Sequence, residues 1–339
     1  MSDKELTPLR PFDPSVNRGL LVAPPKPEDF ILGVNSPLIV AEVEPTGDWS
    51  AFVSLFERQI SMYLETDNCT GFSYTNCVED QINRMIIKQQ ISAEALGFLQ
   101  QYGYLDDNGL VNTSERALGA MAGTGPSGNY LNTVAETARK FGLAPNKLWP
   151  WDQNIQKTYE QYYAKPTQEV YDVAKQFLQY FDLPYHWIQG GSSVYPANMK
   201  VAPMYVALVT CGGWNTPPVK WCNVAGANHA VVAVKYDNIT DPKIQDHYEP
   251  YIKALSLDYQ IPYAMQVVVI QKKGTKNMNG YKLADKPTVY GLVNGIMIPF
   301  ADWDAFVACG GSSDTIVTLT PDQFSKFSVN EGLLIKTNK

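Results

Sequence analysis

Thr66-Asp67-Asn68-Cys69-Thr70-Gly71-Phe72-Ser73 decides how this chain is read. A polar, irregular segment here enters a stretch in which Phe72, Val78, Ile82, Met85 and Ile86 recur at three- and four-residue steps. That spacing predicts an amphipathic helix within residues 67–90. Thr66, Asp67 and Asn68 are residue types that cap the orphan amides of a helix start. Cys69 therefore falls at a helix N-terminus, where unpaired amides and the helix dipole favour an anion, and its thiol is expected to ionise more readily than a free one. Cys77, two turns further on, is expected in the core.

Residues 91–103, 131–141 and 167–180 read as further helices, the second ending at Gly142. Residues 1–50 are rich in Pro and read as an extended arm, with a short strand at 38–43. After residue 200 the pattern turns to β: 203–209, 230–236 and 263–271 are strand candidates. Helices thus precede strands without βαβ alternation, which disfavours a doubly wound fold. The polar stretch 273–285 reads as a linker. Beyond it, 286–339 reads as a small module, with a hairpin over 289–298 turning at Asn294-Gly295 and a helix over 302–309.

Thiol catalysis needs an imidazole beside the cysteine and a third group to orient it. The chain holds three histidines. His186, between Tyr185 and Trp187, reads as a packed or exposed side chain. His229 opens the 230–236 strand and follows a polar loop, a rigid place from which a ring can reach a neighbouring element. It is the candidate base.

Cys69-Thr70-Gly71-Phe72-Ser73 resembles the Cys-Trp-Ala-Phe-Ser segment of the papain family of cysteine peptidases, and Asn228-His229-Ala230-Val231 resembles that family's Asp/Asn-His-Ala-Val strand. Pro203 to Val209 is similar to the strand that precedes the histidine. Residues 18–30 are similar to the lead-in of many bacterial members, and the likeness runs over about 18–272. It implies an α+β, two-lobed fold with a helical N-terminal lobe over 51–272 giving way to a sheet-rich C-terminal lobe, plus the small C-terminal α/β module. The span from Cys69 to His229 slightly exceeds the roughly 130–150 residues such enzymes carry, which points to an insertion within 145–200.

The resemblance also implies roles. Cys69 would be the nucleophile and His229 the base. Asp246, in Asp246-His247-Tyr248, stands where the family has the Asn of Asn-Ser-Trp and would accept a hydrogen bond from His229 Nδ1–H, with Tyr248 stacking over the pair. The family's oxyanion Gln lies just before the nucleophile. Here Tyr63 stands at that distance and Gln59 is the candidate, against the simpler reading of a surface glutamine. Gly125 and Gly128 resemble the Gly-rich wall that binds substrate backbone, against the simpler reading of a turn. Thr66 replaces the family's cysteine before the nucleophile, as a reducing compartment would allow. Cys211 and Cys222 flank a Gly/Trp/Pro loop and could pair, although spacing does not establish it.

These features imply a cysteine-type peptidase of a divergent bacterial or phage type, acting on a peptide or protein substrate without metal or cofactor. Two other readings stand beside it: an inactive papain-fold structural protein with an assembly partner for its C-terminal module, and a transglutaminase- or amidase-type thiol enzyme. A net charge of −7 speaks against nucleic acid as a partner. No clustered metal ligands, signal peptide or membrane span are read, so a cytoplasmic or virion-associated location is expected.

Overall fold

The structure, a computed structural model, describes residues 19–32, 43–224, 226–272, 280–284, 286–293, 296–308 and 316–329. The chain divides into two compact units, Met1–Gln271 and Lys272–Lys339.

In the first unit, helices α1 (Cys69–Ile87), α2 (Ala93–Gln101), α3 (Glu115–Met121), α4 (Leu131–Phe141), α5 (Tyr159–Tyr162) and α6 (Gln168–Tyr180) come first. Strands β1 (Phe181–Asp182) and β2 (Tyr185–Ile188) follow, then α7 (Tyr195–Met199), β3 (Met204–Leu208), β4 (His229–Lys235), β5 (Lys243–Gln245), β6 (Ile252–Ala254), β7 (Tyr263–Val267) and β8 (Ile270–Gln271). An antiparallel six-stranded sheet runs in the order β2-β7-β3-β4-β5-β6. Helices and sheet form the α+β, papain-like two-lobed arrangement.

Helix α1 packs on β3, β4 and β7 and also on α3 and α4. It is consequently buried on every side from Cys69 to Arg84, not amphipathic as its apolar spacing suggests. A helix sunk between two layers has no solvent face, so its polar side chains must find partners inside. Gln81 bridges the Cys77 and Val267 carbonyls, Asp80 accepts from Ser54 N, and Asn83 accepts from Val111 N. Buried Arg84 pairs with Glu44.

Helix α4 ends as expected at Gly142, whose φ of +79° favours glycine. The 263–271 strand is broken in two, because β8 leaves the main sheet to pair with β1. Most of the 38–43 strand lies outside the described residues. Within the arm, Leu20 bridges Asn129 and Ile31 bridges Trp187.

The second unit contains β9 (Gly280–Leu283), β10 (Tyr290–Val293), β11 (Ile296–Pro299), α8 (Trp303–Ala308), β12 (Ile316–Leu319), α9 (Pro321–Phe324) and β13 (Ser328–Val329). Its sheet order is β12-β9-β10-β11-β13. The 289–298 hairpin pairs Tyr290 with Pro299 and Val293 with Ile296, and its turn lies outside the described residues. The stretch read as a linker contributes β9, which pairs with both β10 and β12. Its Gly/Asn-rich composition hid a short strand. Tyr290, Met297 and Leu319 form one small core, and Phe300, Ala305 and Phe306 another.

Candidate active site

Cys69 is the first residue of α1. Its capping differs from expectation: Asn68 makes no cap and instead donates to the Glu115 carbonyl and the Tyr162 hydroxyl. The Thr66 hydroxyl donates to Gln59 O, and the Asp67 carboxylate accepts from the Tyr159 hydroxyl. These three side chains pin the chain that enters α1 rather than its first amides.

Strand β4 lies against α1, so the amide of Ala230 donates to Cys69 Sγ at 3.4 Å. The adjoining residue, His229, directs Nε2 to Asp246 Oδ1 at 2.7 Å. The bonded nitrogen is therefore Nε2 and not the expected Nδ1. Among the described residues no hydrogen-bond partner reaches His229 Nδ1. With Nε2 donating to Asp246, Nδ1 is the basic nitrogen of the ring.

Four donors surround the Asp246 carboxylate. Oδ1 accepts from His229 Nε2 and, at 2.7 Å, from His247 N. Oδ2 accepts from Trp214 Nε1 at 2.8 Å and Lys253 Nζ at 2.6 Å. Burial alone would raise its pKa. The facing His229, with its hydrogen bond, and Lys253 overcome that and hold the carboxyl well below its usual range. Trp214 meets the His229 ring edge-on and Tyr248 covers it at a tilt, 5.8 Å and 5.5 Å between centroids. His247 turns its own Nε2 to Ser73 Oγ at 3.0 Å. Burial pushes its pKa down to about 3, so it is a neutral neighbour. His186 is packed, with Nε2 on Gln266.

Gln59 is buried, not on the surface. Its backbone pairs with Thr66 N and His247 O, which brings it to the segment before Cys69. Its Nε2 donates to Glu65 Oε1 at 2.8 Å, and Glu65 Oε2 accepts from Tyr248 OH at 2.7 Å. Gly125 and Gly128 close a turn with each other, Gly128 N donating to Gly125 O. The backbone edge beside them belongs to Asn129, and the arm already occupies it: Asn129 N donates to Gly19 O and Leu21 N to Asn129 O. Gly19 has φ +99°, and a Cβ there would lie 1.8 Å from the Asp67 carbonyl oxygen. A Cβ on Gly128 would lie 2.0 Å from Gly19 O. Only glycines permit this close passage. Leu20 is buried, and the arm borders one small cavity with Tyr130, Leu131, Ala207 and Tyr263.

Cys69 and His229 are both fully buried in this closed arrangement. The thiol pKa moves opposite to the helix-end expectation. Burial pushes it well up, Ala230 N opposes that, and the carboxylates Asp67, Glu65 and Asp246 push the same way as burial. Desolvation outweighs the helix dipole here.

Trp214, Lys253 and Glu65 were not legible as site residues. Trp214 is carried by the 211–222 loop, which a disulfide closes between Cys211 and Cys222. The flanking cysteines were the one signal that the loop is anchored. No spacing rule links Lys253 to Asp246. Among the described residues no group of His, Cys, Asp and Glu could hold a metal ion, and no helix is long and apolar enough to cross a membrane.

No family model matches the sequence, and no curated protein does. Among solved structures, the chain is similar to xylellain, a cysteine protease from Xylella fastidiosa, at TM-score 0.51 and 15% identity over 76% of this chain and 97% of that one. It is also similar to digestive procathepsin L2 from the larval midgut of Tenebrio molitor, at TM-score 0.46 and 15% identity over 79% and 81%. Bromelain from Ananas comosus gives 0.43 and 16% over 65% and 97%. The first likeness fixes the fold as papain-like.

Proposed function

We propose that the chain is a cysteine-type peptidase, latent while the arm is in place, with Cys69, His229 and Asp246 as its reacting unit. The observation that carries this reading is a pair of adjoining contacts. Cys69 Sγ lies on the amide next to His229, and His229 Nε2 lies on a carboxylate. Among the described residues Nδ1 has no hydrogen-bond partner, and it is the nitrogen left to take the thiol proton.

The reaction follows from these groups. His229 Nδ1 takes the Cys69 proton, and the thiolate adds to the peptide carbonyl carbon. The carbonyl oxygen becomes an oxyanion held by Cys69 N–H and the Gln59 amide, whose plane Glu65 fixes. Such a side-chain donor is worth roughly 3–4 kcal/mol. The C–N bond then breaks as His229 Nδ1–H protonates the leaving amine, giving a thioester. Water, deprotonated by His229, adds to the thioester and releases the acid and the thiol. Nε2 stays on Asp246 throughout, which stabilises the imidazolium.

The test is hydrolysis of peptides once the arm is displaced, with and without Cys69→Ala, together with the fold of the Cys69→Ala chain. Loss of turnover with unchanged circular dichroism supports the reading. Full activity in that variant sinks the assignment of Cys69, and no turnover in either chain returns the protein to an inactive papain-fold scaffold. Selective alkylation of Cys69 at pH 6, once the arm is displaced, separates the same two outcomes, because an ordinary thiol near pKa 8.5 is silent there.

A further inference from the structure

The third member of the reacting unit is a carboxylate, and an ammonium group touches it on the side away from His229. Lys253 on β6 is fully buried. Its Nζ has three acceptors, Asp246 Oδ2, the Tyr248 carbonyl and, at 2.8 Å, the Pro250 carbonyl. An ammonium carries three hydrogens and each has a partner here. The same nitrogen lies 5.7 Å from the Trp214 ring centroid, and Trp214 shares Oδ2 with it. Asp246 and Lys253 therefore form a buried pair with no net charge, and His229 sees one face of it.

We propose that Lys253 is a positioning residue for the His229–Asp246 couple, cancelling the charge of Asp246 so that the couple binds His229 by geometry more than by charge. The inference rests on the peptidase reading for its purpose, though not for its test. A bare carboxylate 2.7 Å from the ring in a dry site would hold the imidazolium tightly, and the ring would give its proton poorly to a leaving amine. With Lys253 on the second oxygen, much of that attraction is offset. The other titratable groups around His229 are Cys69 on α1, the Tyr248 phenol that covers the ring and the neutral His247, with Glu65 and Asp67 beyond the thiol. None of these supplies a second positive charge to Asp246.

The readout is the ring titration of His229 by NMR in the full-length chain, where only three histidines contribute. It needs neither turnover nor an open site. Lys253→Met leaves Asp246 uncompensated and is expected to raise the His229 pKa by about one unit or more. Lys253→Arg is expected to leave it near the native value. The Asp246→Asn/Lys253→Met chain removes both charges and is expected to move it by less than about one unit. Should Lys253→Met fail to fold, the double variant decides alone. A large fall of the His229 pKa in it would mean that the carboxylate acts on the ring unscreened, and the proposal is overturned. An unmoved pKa in folded Lys253→Met overturns it equally. Absence of peptidase activity once the arm is displaced would defeat the functional reading but leave these titrations as they stand.

Discussion

Trp214 is where a single atom does most at this site. Its Nε1 holds Asp246 Oδ2 while its ring rests on His229. Trp214→Phe keeps the ring and removes the donor. A hydrogen bond to a charged group is worth about 1.5–3 kcal/mol, so kcat/KM is expected to fall about tenfold or more, read from initial rates. Gln59→Ala is expected to lower kcat by about 100-fold with little change in KM, because its donor serves the oxyanion and not the ground state. An unchanged kcat would remove Gln59 from the mechanism. At this scale the places of Cys69 at a helix start and His229 at a strand start were legible from short local patterns, as was the acid that meets the ring, Asp246. The bonded ring nitrogen, Lys253 and Trp214 were not, because each depends on how the 211–222 loop and the β5–β6 connection meet over β4.

Among the elements, the seat of the arm and the buried acids near α1 each carry a prediction. Leu20 is buried, and its burial is worth roughly 1.5–3 kcal/mol. Leu20→Glu in the full chain is expected to raise the alkylation rate of Cys69 about tenfold or more. An unchanged rate would mean that the arm does not gate the thiol. The Pro-rich composition of the arm announced an extended segment but not its seat, which depends on two glycines, Gly19 and Gly128, too far apart in sequence to be read together. Glu57, Glu79 and Glu115 meet where the loop before Gln59, α1 and α3 touch. Burial raises all three pKa values, with the neighbouring carboxylates adding to it, Glu79 to about 8 and Glu115 to about 7. Acids with folded pKa values above their unfolded ones stabilise the fold most below the unfolded pKa, and that contribution is lost as pH rises through the folded values. Stability is therefore expected to fall between pH 5 and 8, by about 3 kcal/mol from Glu79 alone. Glu79→Gln is expected to flatten that slope in chemical denaturation. The apolar spacing of α1 suggested one buried face. The polar residues between, including Glu79, are inside because helices and sheet enclose α1 from both sides, which no window on the helix alone reveals.

For the whole molecule, the fold was more legible than its edges. Order and local pattern indicated helices before strands and a papain-like plan, since strand runs such as Ala230 to Val234 admit few other placements. The stretch at 273–285 misled because Gly and Asn mask a strand, Gly280–Leu283, whose partners lie elsewhere in the second unit. On the proposed reading, one thiol in this chain cuts peptide bonds once the arm is displaced. A mixed peptide library incubated with the Leu20→Glu chain and with its Leu20→Glu/Cys69→Ala counterpart tests this directly, with new amino termini read by mass spectrometry. Cleavage by the first and none by the second is the expected result; equal cleavage by both, or none by the first although its Cys69 alkylates readily, would contradict the claim.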